Sequence, residues 1–188
     1  MKHTITTAFF LSFIVFGFSE SLAPHFDWVK QAGGGYTNYG KSLAVDANGN
    51  SYVTGIFEET ANFGSTTLTS TWGYGLFIAK LDAEGNYIWV KQPEGEEFHA
   101  QSIAIDTNGN SYIAGYFRGT ANFGGITISA ADYSVSAFIA KLDADGNFLW
   151  VKSPEESSSQ AFGIAVDTEG NSYGQDKPKV VALIQGVI

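Results

Sequence analysis

Ala44-Val45-Asp46-Ala47-Asn48-Gly49-Asn50-Ser51-Tyr52-Val53-Thr54-Gly55 is written a second time as Ala104-Ile105-Asp106-Thr107-Asn108-Gly109-Asn110-Ser111-Tyr112-Ile113-Ala114-Gly115. A third copy begins Ala165-Val166-Asp167-Thr168-Glu169-Gly170-Asn171-Ser172-Tyr173, so the aspartates stand 60 and then 61 residues apart. Trp28, Trp89 and Trp150, each in Trp-Val-Lys, keep the same step, and Thr60-Ala61-Asn62-Phe63-Gly64 returns as Thr120-Ala121-Asn122-Phe123-Gly124. Several landmarks on one period define a repeat protein.

Within one period, Asn48-Gly49 is a tight-turn signal between two β-rich runs, which makes Ser42 to Asp46 and Ser51 to Phe57 a hairpin. Phe77 to Asp82, the turn Glu84-Gly85-Asn86, and Tyr87 to Lys91 form a second hairpin. The stretch between the hairpins is polar, with Thr66 to Thr69 extended. The next period repeats this order, with strands at Ser102 to Asp106, Ser111 to Phe117, Phe138 to Asp143 and Phe148 to Lys152. Ahead of the first period, Phe26 to Gln31 reads as a short strand and the glycine-rich Ala32 to Tyr39 as a loop.

Runs such as Tyr87-Ile88-Trp89-Val90 and Ser102-Ile103-Ala104-Ile105 carry apolar side chains on both faces, so both faces of each sheet need cover. Four-stranded antiparallel sheets stacked face to face around an axis meet that need. The fold class is therefore all-β: a β-propeller-like array of blades with a period of about 60 residues, incomplete at about two full blades plus partial ones. The pattern Ala-Val-Asp-x-x-Gly-Asn-Ser-Tyr-Val-Thr-Gly resembles the signature of the SBBP β-propeller repeat family, over about residues 26–173. That resemblance implies blades and export from a bacterial cell, and it carries no shared catalytic residues. Gly55 and Gly115 fit a place where a neighbouring sheet or backbone comes close.

Residues 1–19 read as a secretory signal, with Lys2 before the apolar run Ala8 to Phe18 and small residues at Gly17-Phe18-Ser19. That run is shorter than the ~20 residues a spanning helix needs, so no transmembrane segment is expected. The absence of cysteine leaves the fold to burial and backbone pairing. The expected location is secreted or at the cell surface. Full repeats occupy about 42–91 and 102–152 within a repeat region of 26–173, followed by a divergent tail, 174–188. The third copy breaks after Tyr173 into Gly174-Gln175-Asp176-Lys177-Pro178, which we read as a reading-frame change or truncation, making the chain a fragment of a longer propeller. The alternative reading has the apolar tail supply a missing strand and two chains close one ring.

With 19 acidic against 10 basic residues and a net charge of −9, the chain offers no basic cluster to nucleic acid. Gly35 to Ser42 matches G-x-x-x-x-G-K-S, but a phosphate loop needs a helix to start at the lysine, and here a strand follows. Asp-x-x-Gly-Asn occurs at Asp46, Asp82, Asp106, Asp143 and Asp167, where turn chemistry explains it better than a cation. No cofactor, metal site or catalytic residue is assigned. His99 stands alone, with neither a zinc set nor a triad around it. The acidic stretches Glu94 to Glu97 and Glu155-Glu156 read as rim loops.

Tyr36, Tyr39, Trp72, Tyr74, Glu96 and Glu97, all placed in loops, are the candidate ligand contacts. The function expected is a non-catalytic structural or protein-interaction scaffold, with a carbohydrate-binding module at the cell surface as the alternative. The partner is a protein or a glycan, and open blade faces also invite self-association.

Overall fold

The computed structural model describes residues 27–131, 134–154, 158–166 and 180–186, the last by backbone alone. Every element among them is a strand. The first blade is the meander β1 (Asn38–Val45), β2 (Ser51–Phe63), β3 (Thr66–Leu81) and β4 (Tyr87–Lys91), paired antiparallel in that order. The second repeats it with β5 (Glu94–Ile105), β6 (Ser111–Phe123), β8 (Val135–Leu142) and β9 (Phe148–Lys152), while the short β7 (Ile126–Ser129) extends the edge of β6. A third unit holds β10 (Ser159–Val166) paired with β11 (Val180–Gly186). No helix among the described residues is long and apolar enough to cross a membrane.

The tight turns have one construction. In four of them the aspartate Oδ1 accepts the backbone N–H groups two and four residues on, and Oδ2 accepts the side-chain amide of the closing asparagine. Asp46 does so with Asn48 and Asn50, Asp82 with Glu84 and Asn86, Asp106 with Asn108 and Asn110, and Asp143 with Asp145 and Asn147. The glycine between them takes φ of +81°, +80°, +77° and +80° in turn, a left-handed conformation that a side chain would strain. Each carboxylate is thus an Asx-turn anchor. The fifth motif, at Asp167, lies outside the described residues.

The inner strand of each unit breaks register at an equivalent place, between Gly40 and Ser42, Ala100 and Ser102, and Ala161 and Gly163, and β5 breaks a second time between Gly95 and Glu97. Gly55 and Gly115 sit opposite the equivalent bulge. A Cβ at Gly55 would collide with the Tyr39 carbonyl and the Phe77 ring, and one at Gly115 with the His99 carbonyl and the Phe138 ring. The close approach comes from the blade's own inner strand, and not from a neighbouring sheet.

The larger buried cluster lies between blades, and a smaller one of Phe57, Ala61, Phe63 and Phe77 lies on the first blade's other face. Tyr52, Ile56, Leu76 and Ile78 on one face of the first blade pack against Ile113, Phe117, Phe138, Ala140 and Leu142 of the second, with Phe98 and Phe123. Most of these side chains are fully buried, each worth about 1.5–3 kcal/mol relative to exposure. The far face of the second blade begins the next layer, where Ala114 and Ala137 meet Ala161 and Ile164 of the third unit. Serines bridge the inner strands: the Ile103 N–H donates to Ser42 Oγ at 3.2 Å, and the Ile164 N–H to Ser102 Oγ at 3.3 Å.

Several expectations need correcting. Residues 58–69 are not a polar connection: β2 and β3 run on as a paired arm to the turn at Gly64-Ser65, because Ala61 and Phe63 are buried and hold it down. Residues 27–31 form no strand, since no sheet edge lies beside them to pair with. The supposed loop 32–39 is partly sheet, with Gly33 bridged to Asn62 and Asn38-Tyr39 inside β1. Cover on both faces does not extend to the outermost strands, where Ile88 is 52% and Leu149 50% exposed. The signal region 1–19, Glu155-Glu156 and the break at 174–179 lie outside the described residues. Within the tail, 180–186 adds a strand to β10, with Ile184 and Leu183 at the register positions of Gly55 and Thr54.

Candidate functional site

The junction between the two complete blades gathers aromatic and charged side chains at its rim. In β5, residues 97 and 99 lie opposite 118 and 116 of β6. Cross-strand neighbours lie close enough to touch, so this register brings His99 to Tyr116 and Glu97 to Arg118. The His99 and Tyr116 rings stack at 4.5 Å with 17° between their planes, and Tyr74 of β3 meets His99 edge-on at 5.6 Å. His99 Nε2–H donates to Glu97 Oε1 at 2.9 Å, and Arg118 Nε lies 3.4 Å from the other carboxylate oxygen. Glu97 therefore has both oxygens engaged. A carboxylate clamped in this way orients its neighbours and presents charge.

Trp72 completes the rim. It precedes Gly73, a residue at φ +57° whose backbone lies against Glu96 and Glu97, and Ser70 Oγ holds this corner by donating to the Trp72 and Gly73 carbonyls at 3.2 Å. The indole is 74% exposed. The Glu96 carboxylate approaches Gly119 so closely that a Cβ there would meet it.

Four of the six candidate residues thus come together: Trp72, Tyr74, Glu96 and Glu97. All four belong to strands β3 and β5 and not to loops, because the glycines beside them serve bulges and corners within paired strands. The other two lie apart. Tyr36, in a bend, is 60% exposed, and Tyr39, in β1, lines a cavity of about 260 Å³ on the first blade's open face with Lys41 Nζ 5.1 Å from its ring centroid. Sequence reasoning passed over His99 and missed Tyr116 and Arg118. The signal was a departure from the repeat, since the first copy has Tyr39, Ile56 and Glu58 at those positions.

The turn aspartates do not make a second site. A cleft between the Asp46 and Asp106 turns is bordered by Lys80, and Lys80 Nζ lies 5.0 Å from the Tyr52 ring centroid and donates to the Ala144 carbonyl. Burial works to raise the Asp106 carboxyl, but bonds from Asn110, Tyr112 and Asn108 outweigh it and hold it below the usual carboxylate range. At Asp143 the bonds from Asn147 lead and act in the same direction. Burial, reinforced by the Asp106 carboxylate that accepts its hydroxyl at 3.0 Å, pushes the Tyr112 phenol well up. These carboxylates are spent on protein donors. Among the described residues no three His, Cys, Asp or Glu side chains converge as a metal set. The phosphate-loop lookalike ends inside β1, where Ser42 pairs with Thr54, Lys41 is the bulge residue between paired Gly40 and Ser42, and no helix begins.

The model of the beta-propeller repeat family SBBP matches residues 27–55 and 100–116. An uncharacterized WD repeat-containing protein of Acanthamoeba polyphaga mimivirus is 30% identical over 148 residues, covering 67% of this chain and 10% of that protein. The chain spans about a tenth of the length of this curated relative. Both matched family segments fall on the first two copies of the repeat, one reaching Gly55 at the bulge and the other running through Gly115. The sixty-residue period, the meander blades it folds into and the family match agree: this chain carries SBBP-type β-propeller repeats.

Proposed function

We propose that the chain is an exported, non-catalytic β-propeller scaffold that engages a protein partner through the rim around Trp72. The observation that carries this reading is the 74% exposed indole beside Tyr74, His99, Tyr116 and the Glu97–Arg118 pair. Tryptophan, tyrosine and arginine are the residues in which binding energy concentrates at protein interfaces. Export is supported by the signal-like residues 1–19.

The test immobilises the wild-type chain and its Trp72→Ala and Arg118→Glu variants and exposes each to culture supernatant and to cell-wall polysaccharide. A protein retained by the wild type and lost from both variants supports the scaffold. An exposed indole beside the Glu96 and Glu97 carboxylates also suits stacking on a sugar ring, so polysaccharide retention lost with Trp72 would favour a carbohydrate-binding module. Retention that neither variant alters would contradict both readings of the rim.

A further inference from the structure

We propose that the chain associates head to tail with a second copy of itself, the third repeat unit of one copy covering the open face of the other's first blade. The interface to be copied is already in the molecule. Ile103 of β5 is buried by the first blade, at 5% exposed, while Leu43, its counterpart on the same side of β1, is 60% exposed. Val45 repeats the contrast at 57%, where its counterpart Ile105 packs into the core between blades. Equivalent side chains differ here only in whether a blade stands in front of them.

Trp28 marks where the covering unit sits. Its indole N–H donates to the Ala83 carbonyl at 2.8 Å, as the Trp89 N–H donates to the Ala144 carbonyl at 3.0 Å. The Trp28 ring lies over Gly85 as the Trp89 ring lies over Gly146. Residues 27–30 therefore occupy the station of an outermost strand in a blade whose inner strands are not there. Behind them is the cavity of about 260 Å³, lined by Trp28, Leu43, Val53, Phe77 and Tyr87. Leu43, Val53 and Phe77 among its walls are the counterparts of Ile103, Ile113 and Phe138, which the first blade buries.

The third unit presents the opposite half of this interface. Ala44 packs into the core between the first two blades, and its counterpart Ala165 is exposed. Two complementary faces on one chain allow a heterologous contact between copies, which closes a ring or runs on as a filament. One element is missing from the copy. Gly163 stands where Ser42 and Ser102 accept the next inner strand's N–H, so the Leu43 N–H of a second chain meets no hydroxyl. A Cβ at Gly163 would meet nothing within 4 Å, so Gly163→Ser restores the acceptor without a clash.

Sedimentation velocity of the full chain over a concentration series tests the contact. The wild type should associate with rising concentration. Leu43→Glu, at an exposed position, should sediment as a monomer with an unchanged circular dichroism spectrum. Gly163→Ser should associate roughly fivefold more tightly, the worth of one hydrogen bond. A wild type that stays monomeric throughout, an oligomer that persists in Leu43→Glu, or a Gly163→Ser variant no tighter than the wild type would overturn the proposal.

Discussion

The first and second blades are built to one plan and end in different surroundings. Phe77 and Phe138 hold the same place on β3 and β8, yet Phe138 is fully buried among Phe98, Phe117 and Phe123, while Phe77 packs on Phe63 at 4.8 Å, stays 7% exposed and borders the open cavity. The repeat specifies each blade's hydrogen bonding on its own. Burial is shared between blades and is decided by what stands next to each one. In repeat proteins generally, stability is a sum of unit and neighbour contributions, and the first blade here lacks one neighbour contribution.

The largest effect expected is at that pair of phenylalanines. Phe138→Ala should cost about 3–5 kcal/mol in urea unfolding, the range for deleting a fully buried ring. Phe77→Ala should cost about 2 kcal/mol, because its ring already faces a void and less packing is lost. Equal costs would mean that the first blade's face is as well covered as the second's.

The turns give a smaller contrast. Asp106, 6% exposed, accepts from Asn108, Asn110 and Tyr112, and Asp106→Ala should destabilise by about 2 kcal/mol. Asp82→Ala removes the same local bonds at an exposed turn and should have a visibly smaller effect on the denaturation midpoint.

Acid titration bears on the same groups. The carboxyls of Asp46, Asp82, Asp106 and Asp143 are all held below their ordinary value of about 3.9 by hydrogen bonds in the folded state. The unfolded chain then takes up protons first as pH falls. This contribution to stability is fully present above about pH 4 and is lost as pH drops through the depressed folded values. Asp106→Ala should flatten that acid limb, which melting curves at a series of pH values would read. The smallest effect is at the rim: Trp72→Ala should leave stability within about 0.5 kcal/mol while altering retention of a partner.

Much of the blade was legible because its punctuation is local. Asp-x-x-Gly-Asn contains its own turn, anchor and positive-φ glycine within five residues, and four such turns stand where the motif does. The paired arm at 58–69 was not legible, since Thr-Ala-Asn-Phe-Gly shows its buried Ala61 and Phe63 only once a partner strand is known. The rim was half legible. Trp72, Tyr74, Glu96 and Glu97 stood out by residue type, but His99 acquires its neighbours through the β5–β6 register, which composition does not reveal. Tyr116 and Arg118 would have been found by asking where the second copy departs from the first.

The central claim is that blades stack with a fixed contact repeated along the chain, and the tryptophans report it directly. Trp28 and Trp89 place their indole N–H groups on carbonyls of the following blade, while Trp72 is exposed and Trp150 has no such acceptor among the described residues. Hydrogen exchange of the four indole N–H resonances, assigned by single Trp→Phe variants, should show Trp28 and Trp89 protected and Trp72 and Trp150 exchanging fast. Four protons that exchange alike, or a Trp28 proton as fast as that of Trp72, would contradict the stacking.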